Sequence, residues 1–372
     1  MSHNAKILPF PSQKASVWLS SKDAELAARE YLSVSIGERS GEDRQSSLGS
    51  PDILMAICSQ LRLKRDLAPS IVASEAADIY RWISRPKCDL GLFDERDYFL
   101  GETALLAGTA CRQLGRREEA FLWLDRAEAG FRHTMNPAPG LSNVAYARLA
   151  IRFEMGRYQD VLELLPSLES SFAKLRMHLE AAKCRLLLAM TLKQVGENSK
   201  AIQLLDQAHS QTGLEADPFL HSRILAELGD LRQLEGQFDL ALRTFQEALS
   251  LLEGKDSSLA SADLKLYVGG VYSALGAPGD ACDAYRAAQR EYAALGMQHL
   301  VARSHLVIAE TLLGMKRERE AEWEVLTALP IIEELGMVPE GFAAVAILSE
   351  SVASRKTDLS ALQQLRAHIQ AS

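Results

Sequence analysis

The amino-acid sequence predicts an all-α protein in which about six to eight antiparallel helix pairs follow one another along the chain as a solenoid. Its 372 residues allow either two or three globular domains or one array of repeats. Alanine and leucine together make up close to three residues in ten, and both are strong helix formers. Apolar positions recur with helical spacing through most of the chain. A glycine also returns at intervals of 40 or 41 residues, which favours the array over separate domains.

The first 50 residues differ from the rest and are predicted to form a flexible segment with one short helix and a polar linker. The helix is expected over about residues 21–34, with one apolar stripe made of Leu26, Ala27, Tyr31 and Leu32. Residues 37–50 are polar and rich in turn-forming types, so we expect a linker there. At Ser50-Pro51-Asp52 a capping serine, a proline and an acid mark a helix start. Residues 51–372 are therefore predicted to form the solenoid.

Six copies of one pattern define the solenoid between residues 98 and 330. The glycine expected at the turn inside each pair stands at Gly115, Gly156, Gly196, Gly236 and Gly276. Five residues later comes a small residue, at Ala120, Val161, Ala201, Ala241, Ala281 and Ala321. Four further on is a large apolar one, at Leu124, Leu165, Leu205, Phe245, Tyr285 and Val325. The residue seven positions before the turn is small in most copies, and the six residues are Gly108, Leu149, Ala189, Gly229, Gly269 and Ala309. Small residues on both helices allow close approach, and the large residue fills the groove beside them.

The ends of the helices carry their own signals. A second set of glycines, which is expected to end the second helices, stands at Gly213, Gly254, Gly296 and Gly336. The sixth copy departs from the pattern, because Lys316 occupies the place of the turn glycine. Whether its inner turn is regular is left open by the sequence. Residues 51–97 and 337–370 match the pattern only as helical hairpins, and we expect them to cap the array.

This pattern resembles the tetratricopeptide repeat (TPR), and Leu228-Gly229, Gly236, Phe238, Ala241, Phe245 and Ala248 form its best copy. The usual TPR spacing is 34 residues, so each helix here is expected to be longer by almost one turn. The variant is similar to the long-helix repeats of bacterial sensor domains, of peptide-sensing receptors of Gram-positive bacteria and of eukaryotic polarity adaptors. The resemblance implies a right-handed superhelix and a bacterial regulator or adaptor. It also implies that the first helices line a concave groove that binds a peptide, a helix or a small effector.

Transferred position by position, the resemblance gives the residues expected to line that groove. They are Tyr146, Phe153, Lys183, Lys193, Arg223, Glu227, Asp230, Asp263, Tyr267 and Arg303. A polar set with a few aromatic residues suits recognition of a polypeptide segment. The leading hypothesis is therefore a non-enzymatic scaffold that binds a protein or peptide, in regulation or in complex assembly. The alternative is a sensor in which a small molecule or a signal peptide alters the conformation of the superhelix.

Other classes of function find little support in the sequence. No phosphate-binding loop, dinucleotide motif or HExxH motif occurs, and no cofactor or metal is predicted. An enzyme would have to use Cys184 and His178, which are too far apart along one helix for direct contact. A net charge of −8 argues against direct binding of nucleic acid. Apolar runs are too short to cross a membrane, and a cytoplasmic location is expected. The oligomeric state is left open.

Overall fold

The computed structural model describes residues 21–39, 48–64, 68–85, 93–210, 217–254 and 258–355. These residues form sixteen α-helices and contain no strand, as the sequence predicts. The contacts group the chain into two compact units, Met1–Arg157 and Tyr158–Ser372. The division falls directly after the inner turn of the second copy. None of the described helices is long and apolar enough to cross a membrane.

The first unit contains six helices. They are α1 (Ser21–Ser33), α2 (Pro51–Lys64), α3 (Pro69–Ile83), α4 (Phe93–Gln113), α5 (Arg117–Arg132) and α6 (Ala138–Glu154). Helix α1 packs on α2, α3 on α4, and α4 on α5. Helix α4 also contacts α6, so the first helices of two successive copies lie side by side. One apolar core runs through all six helices, from Ala28 to Ile151.

The second unit contains ten helices. They are α7 (Tyr158–Lys174), α8 (His178–Gln194), α9 (Asn198–His209), α10 (Pro218–Leu234), α11 (Phe238–Ser250), α12 (Ser258–Ala274), α13 (Pro278–Ala294), α14 (Gln298–Gly314), α15 (Glu318–Glu334) and α16 (Val338–Arg355). Successive helices pack on each other, and α8 contacts α10, as α10 contacts α12 and α14 contacts α16. All the small and large positions of the six copies are buried, in both units. The predicted register is thus confirmed.

The inner turns share one backbone conformation. The five turn glycines have positive φ values of 73–80°. The glycine amide donates to the carbonyl three residues earlier, and the next amide donates to the carbonyl five residues earlier. In copy four these bonds join Gly236 to Gln233 and Gln237 to Arg232, at 2.9 and 2.8 Å. This is the Schellman arrangement, which satisfies carbonyls that a helix end leaves free.

The inner turn of the sixth copy, which the sequence leaves open, is regular. Lys316 takes a φ of 60° and makes the same two bonds, with the amides of Lys316 and Arg317 donating to Leu313 and Leu312 at 2.9 Å. Arg176, in the turn between α7 and α8, also has a positive φ of 56°. The helical packing on both sides therefore imposes the turn even where the residue has a side chain, at a conformational cost.

The N-terminal helix departs from the expectation of a loosely attached segment. Arg39 donates two hydrogen bonds to Glu75 of α3, at 2.5 and 2.9 Å, and both side chains are buried. Its guanidinium also lies over the ring of Tyr31, 4.1 Å from the centroid. The predicted stripe holds at Tyr31, which is buried, but is wrong at Leu26, which is 58% exposed, because α1 turns Ala24 and Ala28 towards the core instead. Residues 39 and 75 are thus joined across the expected linker, whose central residues 40–47 lie outside the described chain.

Two other expectations fall partly outside the described residues. Helix α16 is the first helix of the expected C-terminal hairpin, and the second would lie in residues 356–372, beyond the described part. Gly213 also lies outside it. The other three glycines of its set, Gly254, Gly296 and Gly336, have φ values of 62–70°. Gly296 and Gly336 directly follow the C-caps of α13 and α15, as predicted, whereas α11 already ends at Ser250, before Gly254.

Candidate functional site

The predicted groove residues of copies three to five stand on α8, α10 and α12. Each helix has 17 residues, and each begins 40 residues after the previous one. Because α8 contacts α10 and α10 contacts α12, equivalent positions lie side by side. Six of the ten predicted residues meet in this groove segment, which we define as the surface formed by Lys193, Arg223, Glu227, Asp230, Asp263 and Tyr267. The other four predicted residues lie outside this groove segment.

An ion cluster joins the first two of these helices. The Lys193 ammonium donates to Glu227 at 2.9 Å and to Asp230 at 2.5 Å, and all three side chains are about one-fifth to one-quarter exposed. Burial by itself would lower the pKa of Lys193, but the two carboxylates outweigh it, so the net shift is upwards. Lys193 is therefore firmly cationic. The cluster joins α8 to α10.

A small cavity lies between α10 and α12. It has a volume of about 140 Å³ and carries four of the predicted residues on its walls, namely Arg223, Glu227, Asp263 and Tyr267. Small or apolar residues complete the lining: Ser222, Ala226, Ala260 and Leu264. Arg223 is exposed and forms no ion pair with any described residue. The recess thus holds a cation without an ion pair among the described residues, the carboxylate of Asp263, the Lys193-paired carboxylate of Glu227 and an aromatic ring.

The wall of the cavity formed by α12 is supported from second helices. The Tyr292 hydroxyl of α13 donates to Asp263 at 2.5 Å. Burial raises the pKa of Asp263, although the bond from Tyr292 opposes the shift. The Tyr267 ring, 37% exposed, stacks on buried Phe245 of α11 with centroids 5.4 Å apart and planes 6° apart. The site therefore presents a fixed carboxylate beside a fixed aromatic face.

The other four predicted residues lie elsewhere. Tyr146 and Phe153 are half-buried on α6, in the first unit. Lys183 is half-buried on α8 and forms no ion pair among the described residues. Arg303 is exposed on α14 and lies 3.7 Å from Glu340 of α16. None of these four lines the cavity.

Sequence reasoning missed the supporting residues of the site. Phe245 occupies the large apolar position of its repeat, which signals packing but not that its ring would carry Tyr267. Tyr292 gives no signal at all, because its bond to Asp263 spans 29 residues. The other half of the cavity lining, Ser222, Ala226, Ala260 and Leu264, was also not predicted.

The candidate nucleophile of an enzyme does not form. Cys184 is buried, while His178 is exposed, and no contact joins them. Burial raises the pKa of the Cys184 thiol to about 12, so it stays protonated at neutral pH. Four described cysteines, Cys58, Cys111, Cys184 and Cys282, are buried free thiols. Among the described residues, no group of three potential ligands is placed to hold a metal ion.

Comparisons with known proteins identify the fold. No protein-family model matches the chain, and no curated protein matches its sequence. The Rap conjugation gene regulator of plasmid pLS20, solved with the Phr* peptide, is 17% identical over 94% of each chain, with a TM-score of 0.56. A Rap protein complexed with competence and sporulation factor is 11% identical over 94% of this chain and 99% of that one, with a TM-score of 0.52.

A third solved structure carries the same repeat in a longer protein. It is a signal-transduction ATPase with a tetratricopeptide repeat sensor, PH0952 from Pyrococcus horikoshii, 14% identical over 81% of this chain, with a TM-score of 0.56. This chain spans only 45% of that protein. At these identities the likeness is one of fold. The protein is thus a TPR-like helical repeat, as the sequence predicts.

Proposed function

We propose that the protein is a non-enzymatic scaffold that binds an extended peptide segment of a protein partner in the groove segment, in regulation or in complex assembly. The observation that carries the proposal is the cavity between α10 and α12, where Arg223, Asp263 and Tyr267 point at one recess. Tyrosine and arginine are the residues that most often dominate binding energy at interfaces. A carboxylate supported by a buried tyrosine adds a fixed point for hydrogen bonding.

The size of the cavity favours a peptide over a free small molecule. Pockets for small ligands usually measure about 300–1,000 Å³. The volume of about 140 Å³ suits a single side chain that enters from an extended segment. The remaining contacts would come from α8, which lies beside α10.

A second candidate function is a sensor whose conformation changes when it binds a signal peptide. Two structures of similar fold support it, since one contains the Phr* peptide and the other competence and sporulation factor. The two candidates share the groove and differ in what binding does. A change of scattering radius on adding the bound peptide, at constant molecular mass, supports the sensor, and an unchanged radius supports the scaffold.

The location and the class of partner complete the proposal. We place the protein in the cytoplasm, because its described cysteines are free thiols, as is usual for proteins of reducing compartments. We expect the partner to be a protein and not a nucleic acid, because the chain carries 49 acidic against 41 basic residues.

Selection of peptides from a random 12-residue display library on the full chain tests the proposal. Binders should lose affinity about tenfold or more with Tyr267→Ala and with Arg223→Ala. Trp323→Ala is the control, because Trp323 is an exposed aromatic residue on the second helix of copy six. Equal losses in all three variants, or no loss in the two groove variants, would show that binding takes place elsewhere.

A further inference from the structure

The groove carries charged residues at one repeated place. Lys183, Arg223 and Asp263 are each the sixth residue of their helices α8, α10 and α12. Because these helices are equally long and pack in sequence, the three residues occupy equivalent positions on neighbouring helices. We call them the charge row. Read along the groove, the row presents two cations and then an anion.

The members of the charge row keep their charges available. Neither Lys183 nor Arg223 forms an ion pair with a described residue, and within the same part of the chain Asp263 accepts a hydrogen bond from the neutral hydroxyl of Tyr292 alone. The ion cluster of α8 and α10 differs, because Lys193 there pairs with both Glu227 and Asp230 and leaves one negative charge in excess. An incoming segment therefore meets side chains without an ion pair among the described residues at the row and ion-paired side chains at the cluster. The row is the part of the groove that can select a partner by charge.

The spacing of the row sets the spacing of the ligand. Axes of packed helices lie about 8–10 Å apart. A peptide in the extended polyproline II conformation advances about 3.1 Å per residue with three residues per turn, so its positions i, i+3 and i+6 lie on one face. One step along the row therefore corresponds to about three residues of a peptide that crosses the helices.

We infer that the bound segment carries two acidic residues three positions apart and a basic residue three positions further on, in either chain direction. The acidic side chains pair with Lys183 and Arg223, and the basic one pairs with Asp263 beside the exposed face of Tyr267, where a cation is also attracted by the ring. This inference rests on the proposed function and specifies the chemistry of its partner. It concerns the order and spacing of charges, which the proposed function leaves open.

The display selection tests the inference when its binders are read for charge at each position. Acids at positions i and i+3 and bases at i+6, or the mirror order, should be enriched at least threefold over the unselected library. A second selection uses the variant Lys183→Glu/Arg223→Glu, in which the first two positions should change from acidic to basic. Affinity of a selected peptide for this variant should fall at least tenfold at about 50 mM salt, where charge pairs are weakly screened.

A matched control separates the row from the change in net charge. Lys200→Glu/Arg243→Glu makes the same charge change on the second helices α9 and α11, where both residues are exposed. This variant should select the same charge pattern as the unaltered chain. Binders that need Tyr267 but show no charge spacing, or whose pattern survives Lys183→Glu/Arg223→Glu, overturn the inference and leave the proposed function standing. Absence of any binder that depends on the groove overturns both.

Discussion

Replacement of Gly229 by alanine tests the size matching that holds each helix pair together. Gly229 lies within α10, and a Cβ atom there would stand 2.5 Å from Cε1 of Phe245 and 2.8 Å from two other ring atoms. The ring cannot retreat freely, because Phe245 is buried and stacks on the ring of Tyr267. In copy three the equivalent positions hold a different pair, Ala189 and Leu205, and both are buried.

The expected magnitude follows from two opposing effects. Alanine in a helix interior is favoured over glycine by about 1 kcal/mol. Overpacking a closed core costs about 1–3 kcal/mol. Gly229→Ala should therefore lower the free energy of unfolding by up to about 2 kcal/mol. The double variant Gly229→Ala/Phe245→Leu reproduces the pair of copy three, and the two changes should couple favourably by about 1–2 kcal/mol.

Urea unfolding followed by far-ultraviolet circular dichroism measures both quantities, with equal m-values as the check that the unfolded states are comparable. Gly314→Ala is the matched control, because no atom lies within 4 Å of its Cβ position and the residue ends α14 with an ordinary backbone. It should stabilise by up to about 1 kcal/mol. If Gly229→Ala stabilises as much as Gly314→Ala, or if the two changes simply add, size matching does not govern this pair.

Three further changes test the turn, the site and the N-terminal helix. Lys316→Gly should raise the urea midpoint by the equivalent of about 1 kcal/mol, because glycine adopts positive φ without cost; a lower midpoint would mean that the lysine side chain stabilises the turn. Burial raises the pKa of Asp263 in the folded protein above its unfolded value of about 3.9. The protonated side chain therefore stabilises the folded protein below a pH of about 3.9, and this stabilisation is lost as the pH rises through the folded pKa. Asp263→Asn should therefore gain stability relative to the unaltered protein between pH 3 and pH 7, and a constant difference would contradict the shift. Arg39→Leu should cost about 3–5 kcal/mol in thermal unfolding by leaving the Glu75 carboxylate buried and unpaired, and Arg39→Leu/Glu75→Leu should recover most of it; equal losses in both would show that the pair does not matter.

The sequence predicts the repeat register so well because the contacts that define it are local. Ala241 and Phe245 lie on one helix face, and Gly229 faces them from the adjoining helix of the same pair. Such contacts recur every 40 residues, so the same residue pattern appears in each copy and identifies the register. The groove positions follow from the same register, which is why Arg223, Asp263 and Tyr267 do line one cavity.

The features that the sequence does not reveal depend on contacts that occur only once. The bond between Arg39 and Glu75 joins residues 36 positions apart in the sequence, and no sequence pattern near either residue predicts it. The positive φ of Lys316 comes from the packing of α14 and α15, which overrides the preference of the residue itself. The sequence likewise does not predict that Lys193 pairs with Glu227 and Asp230, because the pairing depends on how the two helices pack side by side.

The pair of Gly229 and Phe245 also connects the core to the site. The buried ring of Phe245 stacks on the ring of Tyr267, and Tyr267 lines the cavity. Phe245→Leu removes this stacked partner and leaves every groove residue unchanged. We expect it to weaken binding of a groove-dependent peptide by about three- to tenfold, because a Tyr267 ring that moves freely must be ordered on binding.

The control for this effect is a core change of similar kind outside the site. Leu205→Val also truncates a buried side chain at the large position of its repeat, but Leu205 supports no ring of the cavity. It should lower stability and leave peptide affinity unchanged, as measured by fluorescence anisotropy at a temperature where both variants are folded. Equal affinity of Phe245→Leu and the unaltered chain would refute the link between the core and the groove. A selective loss would mean that the choice of an aromatic residue at this core position serves the binding surface as well as the fold.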